Sequence, residues 1–255
     1  MTTTLLAGSL VSTAFALGAL GWPLLGGAHA AGESTPAAAL AGDSEAARAA
    51  RHALVDEVAR RDPGMDEQTL TALRTVPRHL FMPDADLVEV YGNHAFPIGH
   101  GQTISQPTVV AIMTDALQLH GSERVLEVGT GSGYQAAVLA KLAREVYSIE
   151  IVAALAAQAR ARLAALGYAN IHVKDGDGYR GWPEHAPFDR IVLTAAPPEL
   201  PPALIEQLAE GGILVAPLGA ADQHLYRWTK QGGELIRESL GAVRFVPMVT
   251  ATPSR

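Results

Sequence analysis

Val125-Leu-Glu-Val-Gly-Thr-Gly-Ser-Gly-Tyr134 passes from a short apolar run through three glycines into an alanine-rich stretch. Arg124 to Val128 reads as a buried strand, Gly129 to Gly133 as a tight turn, and the residues from Tyr134 as a helix. Such a unit lets a ligand come close to the main chain, because glycine has no Cβ in the way. The helix N-terminus adds a dipole that favours negative charge. A dinucleotide fingerprint would need Gly-x-Gly-x-x-Gly. Gly129 and Gly131 fit it, but its third position is Tyr134 and Gly133 comes one residue early, which argues against a nicotinamide enzyme. Taken alone, the glycines also fit a plain tight turn.

The rhythm continues on both sides. Glu145 to Ile149, Asn170 to Lys174, Phe188 to Thr194 and Ile213 to Pro217 read as further strands. Between them, Ile151 to Leu166 reads as a helix closed by Gly167, and Pro201 to Glu210 as a helix stopped by Gly211-Gly212. Val109, Ile112, Met113, Ala116 and Leu117 recur at helical spacing after Pro107. Leu225 to Thr229, Leu235 to Glu238 and Ala242 to Val246 read as closing antiparallel strands. The alternation predicts an α/β fold: a doubly wound, mostly parallel Rossmann-like sheet with an antiparallel C-terminal edge and helices on both faces. Upstream, Ser44 caps a helix to about Arg61, and a second helix spans about Asp66 to Thr75. Pro77 to Pro107 reads as a long Pro-, Gly- and His-rich loop, of the kind that is usually functional. A single domain from 44 to 250 follows.

Two acids stand at strand ends. Glu150 closes the strand after the glycine turn, where a carboxylate can accept both hydroxyls of a ribose; a solvated acid at a helix N-terminus fits the position too. Gly176-Asp177-Gly178 follows the third strand. Asp177 can accept from an adenine amino group while the adjacent amide meets a ring nitrogen, and the same residues also make a common Asp-Gly turn.

Of the 255 residues, 48% are hydrophobic and 18% charged, which provides for a sizeable core. A net charge of −7 argues against a protein that coats nucleic acid. With no cysteine, disulfides, thiol nucleophiles, zinc–thiolate sites and iron–sulfur clusters are excluded. His79, His94 and His100 fit no standard zinc spacing, so no metal is expected. The first 32 residues carry no charged side chain and form an apolar leader that reads as a signal, an anchor or an inert extension. Membrane contact is expected through residues 1–32 only, and residues 33–43 read as a linker.

Several further stretches carry a resemblance. Val76-Pro-Arg-His-Leu-Phe-Met-Pro83, Pro97-Ile-Gly-His-Gly-Gln-Thr-Ile-Ser-Gln-Pro107, Val125 to Tyr134, Val146-Tyr-Ser-Ile-Glu150, Gly176-Asp-Gly-Tyr179, Ala186-Pro-Phe-Asp189, Thr194-Ala-Ala196 and Val243-Arg-Phe-Val-Pro247 occur in order. Together they resemble the protein-L-isoaspartate O-methyltransferases, protein-repair carboxyl methyltransferases, from about Ser44 to Pro247. The Glu-x-Gly-x-Gly-x-Gly form is shared by many S-adenosylmethionine-dependent methyltransferases, whereas the Gln102 to Pro107 stretch is particular to this family.

The resemblance implies methyl transfer from S-adenosylmethionine to the free carboxylate of L-isoaspartyl residues in damaged proteins and peptides. The ester then collapses to a succinimide. It places the cofactor at Gln102, Thr103, Ile104, Ser105, Glu127, Gly129, Thr130, Gly131, Ser132, Gly133, Glu150, Asp177 and Gly178. Ser105 is the expected catalytic residue, its hydroxyl aligning the carboxylate, although an N-cap before Pro107 would also use it. Arg78 reads as a structural or surface partner, and a β-branched residue at Gly131 is expected to obstruct the cofactor. Two other functions are compatible with the chain: an exported non-catalytic binding module, and a methyltransferase acting on a small molecule. Cofactor supply points to the cytoplasm, and the leader to the periplasm or envelope.

Overall fold

The computed structural model describes residues 42–250. The leader at 1–32 and the linker up to residue 41 lie outside them. Gly42 and Asp43 belong to the described fold, where the buried Asp43 carboxylate takes both terminal nitrogens of Arg51 at 2.9 Å.

Helix α1 (Glu45–Arg61) starts at Ser44, whose hydroxyl accepts from Ala47 N at 3.1 Å, and buries Leu54, Val55 and Val58. Helix α2 (Glu67–Thr75) is capped by Asp66 and stops before Val76-Pro77. The stretch to Pro107, expected as loop, contains a 3-10 turn (Arg78–Phe81), α3 (Leu87–Val90) and a hairpin of β1 (Phe96–Gly99) and β2 (Gln102–Ile104). Pieces this short carry no readable period. Their signals are local: the Asp86 carboxylate caps α3, and Gly99, His100 and Gly101 reverse the hairpin at φ 87°, 53° and 71°.

Then follow α4 (Pro107–Ala116), β3 (Arg124–Val128), α5 (Tyr134–Leu139), β4 (Glu145–Glu150), α6 (Ala153–Ala165), β5 (Ile171–Asp175), β6 (Phe188–Leu193), α7 (Pro202–Gln207), β7 (Leu208–Leu218), β8 (Gln223–Gln231) and β9 (Glu234–Val243). The main sheet has the order β5-β4-β3-β6-β7-β8-β9, parallel as far as β7 and antiparallel beyond. Successive strand residues serve opposite faces. Val125, Val146, Val192 and Ile213 pack with Met113 and Ala116 of α4 and Ala136 and Leu139 of α5. Leu126, Ile149, Ile191 and Leu214 pack with Leu204 of α7. These side chains are almost wholly buried, and truncating one of the leucines or isoleucines to alanine costs about 2–5 kcal/mol.

Two expected boundaries differ. The helix predicted over Pro201–Glu210 ends at Gln207, and Leu208 already pairs with Phe188. Leu208 is taken into the core, and the register then shifts through Gly211 (φ 73°) and Gly212, where a Cβ would lie 2.7 Å from Ala209 O. Pairing with β6 overrides local helix preference. The strands predicted at Leu235–Glu238 and Ala242–Val246 are one strand, β9, kept continuous by a register shift and Gly241 at φ 113°. Val246 to Met248 instead lie along Ala196, with Ala196 N donating to Val246 O at 2.9 Å and Met248 N to Ala196 O at 2.8 Å. Among the described residues no helix is long and apolar enough to cross a membrane.

Candidate active site

The chain builds outward from β3 through β4 to β5, then returns to β6 on the other side of β3. Loops leaving the C-terminal ends of β3 and β6 therefore diverge and leave a cleft between them. Val128, Gly129 and Gly131 line it from β3, Ile149, Glu150 and Ile151 from β4, Gly178 from the turn after β5, and Thr194 and Ala195 from β6. Gln102 and Thr103 of the hairpin and Pro247, Met248 and Val249 complete the wall.

The glycine turn needs its glycines. Gly129, Gly131 and Gly133 have φ 105°, 52° and 88°. A Cβ on Gly129 would lie 2.2 Å from Thr194 Oγ1, and that hydroxyl donates to Gly129 O at 2.6 Å. The turn is fastened from two further sides. Glu150 Oε2 accepts from Gly131 N at 2.8 Å and its Oε1 from Val152 N at 2.9 Å, so one carboxylate ties the turn to the start of α6. Arg162 Nη1 donates to Ser132 O at 2.8 Å. Each Glu150 oxygen keeps a second lone-pair direction for a ligand hydroxyl.

Glu127 occupies a different place. It is fully buried behind the turn, on the face of Val125, and is absent from the cleft wall. Ser148 donates to its Oε2 and also bonds the Thr130 hydroxyl, while Oε1 has no partner among the described residues. Burial pushes this carboxyl up from 4.5 to about 8; the Glu150 charge adds to the rise and the Ser148 hydrogen bond opposes it. Between those values the folded protein holds a proton that the unfolded chain has released. This contribution to stability is full below about pH 4.5 and is lost as pH rises through about 8. Glu127→Gln should flatten that part of the stability profile. Urea unfolding of both proteins from pH 5 to 8 checks it, and parallel profiles would refute it.

Ser105 lies between β2 and α4. The N-cap of α4 is Gln106, without a side-chain cap bond, so Ser105 is not the cap. Its hydroxyl makes no hydrogen bond among the described residues. With Thr103, Ile104, Gly129, Thr130, Gly131, Ser132 and Thr194 it borders an opening that shares Thr103, Gly129, Gly131 and Thr194 with the main cleft. Gly178 is on the cleft wall, its backbone so close to Val128 that a Cβ would meet Cγ1 at 2.3 Å. Asp177 lies beside the wall, one carboxylate oxygen accepting from Tyr179 N at 2.9 Å.

The fold thus gathers the hairpin, the glycine turn, Glu150 and Gly178 around one cleft, and leaves Glu127 behind it. Sequence reasoning gave no role to Thr194, Ile149, Ile151 or the Pro247–Val249 segment. Thr194 had a usable signal, since it ends a parallel strand. The last segment is marked only where the Val243–Pro247 stretch reaches Pro247; its pairing with Ala196 and the hydrogen bond from Tyr179 OH to Met248 O (3.2 Å) bring it to the cleft.

The profile of the family described as Protein-L-isoaspartate(D-aspartate) O-methyltransferase (PCMT) matches residues 49–252. A protein-L-isoaspartate O-methyltransferase of Dictyoglomus thermophilum is 54% identical over 190 residues, 74% of this chain and 86% of that protein. One of Opitutus terrae is 53% identical over 204 residues, 79% of this chain and 87% of that protein. A crystal structure from Plasmodium falciparum, described as a protein-L-isoaspartate O-methyltransferase in complex with S-adenosyl-L-homocysteine, superposes with a TM-score of 0.69. It is 26% identical over 78% of this chain and 98% of that one. With its mixed sheet, its glycine turn and relatives at this identity, the chain belongs to the protein-L-isoaspartate(D-aspartate) O-methyltransferase family.

Proposed function

We propose that the cleft at the C-terminal ends of β3, β4 and β6 is where this chain methylates isoaspartyl residues of damaged proteins, with S-adenosylmethionine in the cleft and the substrate carboxylate at Ser105. The residues fit such a cofactor. The main chain of Gly129 to Gly133 offers close approach, and Glu150 offers acceptors to ribose hydroxyls. Val128, Ile149, Ile151 and Met248 offer apolar walls for a flat ring, with Asp177 and the Gly178 amide beside its edge. When bound, the cofactor supplies an electrophilic methyl group. The protein contributes orientation and electrostatics.

An isoaspartyl carboxylate has an unperturbed pKa of about 4, so it is anionic at neutral pH and needs no general base. Ser105 donates its free hydroxyl to one carboxylate oxygen and aims the other. The observation that carries this reading is a serine hydroxyl that makes no hydrogen bond among the described residues, on an opening continuous with the Glu150-anchored glycine turn. Ser105→Ala should slow methyl transfer to an L-isoaspartyl peptide about 10- to 150-fold, the worth of one hydrogen bond to a charged group. Cofactor affinity should stay nearly unchanged, and so should the shape of the pH–rate profile, since no titrating group is removed. The assay runs the peptide beside its L-aspartyl twin. Full activity of the variant, or equal turnover of the two peptides, would overturn the reading.

A further inference from the structure

Arg78 is 1% exposed, yet among the described residues it faces carbonyls and phenols and no carboxylate. Its Nε donates to Val90 O at 3.0 Å, at the end of α3, and its Nη2 donates to Ser105 O at 2.9 Å. The guanidinium carbon lies 4.9 Å from the ring centroid of Tyr134, the first residue of α5 after the glycine turn. Nη1 has no partner among the described residues. A buried cation without a counter-ion is costly, and an apolar side chain would fill the same space without that cost.

What an apolar side chain cannot do is bond Ser105. Strand β2 ends at Ile104 and α4 begins at Pro107 with Gln106 as its cap, so neither element takes up the Ser105 carbonyl. Arg78 supplies that bond, and the same planar group rests on Tyr134. We propose that Arg78 is the positioning residue of this site, holding the Ser105 peptide unit at a fixed distance from the helix that follows the glycine turn. This rests on the reading of Ser105 given above. Arg78 acts through Ser105 and touches no reacting atom. Lysine is a poor substitute, because a single ammonium cannot reach both carbonyls and stack on the ring at once.

A double-mutant cycle on the full chain separates this role from a merely structural one. The variants are Arg78→Lys, Ser105→Ala and the pair. The readouts are kcat and KM on an L-isoaspartyl peptide, S-adenosylhomocysteine affinity by calorimetry, and thermal melting. Arg78→Lys should melt cooperatively and lose about 10- to 100-fold in kcat/KM, with S-adenosylhomocysteine affinity within about threefold of the parent. The pair should fall within about threefold of Ser105→Ala alone, since nothing is gained by placing a side chain that no longer has a hydroxyl. Multiplying losses in the pair, or S-adenosylhomocysteine affinity falling as far as kcat/KM, overturns the proposal. Full activity of Ser105→Ala overturns the Ser105 reading and the proposal with it, and is distinct from impaired singles that multiply. If Arg78→Lys does not fold, Arg78→Gln, which still reaches one carbonyl, carries the same cycle. Failure of both to fold makes Arg78 a scaffold residue and overturns the proposal.

Discussion

Glu150→Ala should weaken binding of S-adenosylmethionine by at least about 100-fold. Two losses combine. Charge-assisted hydrogen bonds to ribose hydroxyls contribute roughly 1.5–3 kcal/mol each, about 10- to 150-fold in affinity. The same carboxylate also holds Gly131 N at 2.8 Å and Val152 N at 2.9 Å, so the glycine turn loses its tie to α6 when the side chain is removed. Glu150→Gln should fall between the variant and the parent, because a single amide oxygen cannot serve both backbone N–H groups and a ligand as well. Titration calorimetry on the folded variants measures this. An affinity within about tenfold of the parent for Glu150→Ala would mean that the acid only ties the glycine turn to the start of α6.

Gly129→Val should abolish detectable cofactor binding and lower the melting temperature. A φ of 105° lies outside the conformations a β-branched residue adopts, and left-handed backbone alone costs an ordinary residue roughly 1–2 kcal/mol. The Cβ would also lie 2.2 Å from Thr194 Oγ1, which is held in place by its own hydrogen bond to Gly129 O. Neither group can move without opening the junction between β3 and β6. At Gly131, where a β-branched residue is expected to obstruct the cofactor, the φ of 52° is one that asparagine tolerates, and the nearest neighbour of an added Cβ is Ile98 Cδ1 at 3.3 Å. Gly131→Asn should therefore stay folded and keep more affinity than Gly129→Val. Melting curves and calorimetry on the two variants decide it, and the reverse order would show that ligand approach matters more at Gly131 than backbone strain does at Gly129.

Much of this site is legible in the sequence, for reasons of range. The strand–turn–helix at Arg124 to Leu139 is encoded by neighbours, and glycine's freedom at positive φ is a property of the residue itself. Glu150 could be found because parallel strands present their C-terminal ends on one side, so the last residue of β4 has to stand beside the turn after β3. The strand–helix alternation gives the parallel sheet for the same reason, since each connection is short and local.

What needed the folded chain are features set by partners distant in sequence. The resemblance places Glu127 among the cofactor residues, yet strand alternation turns it to the face of Val125, and only packing shows its carboxyl sealed beside Ser148. The end of α7 is settled by β6 claiming Leu208, and the bulge in β9 by its pairing with β8. Thr194 and Met248 enter the cleft through bonds to Gly129 and Ala196, and the guanidinium of Arg78 reaches Ser105 across 27 positions of chain. Composition and periodicity report the conformational preferences of a residue and its near neighbours, whereas the far side of each of these contacts is chosen by how the sheet, once closed, fills the space around it.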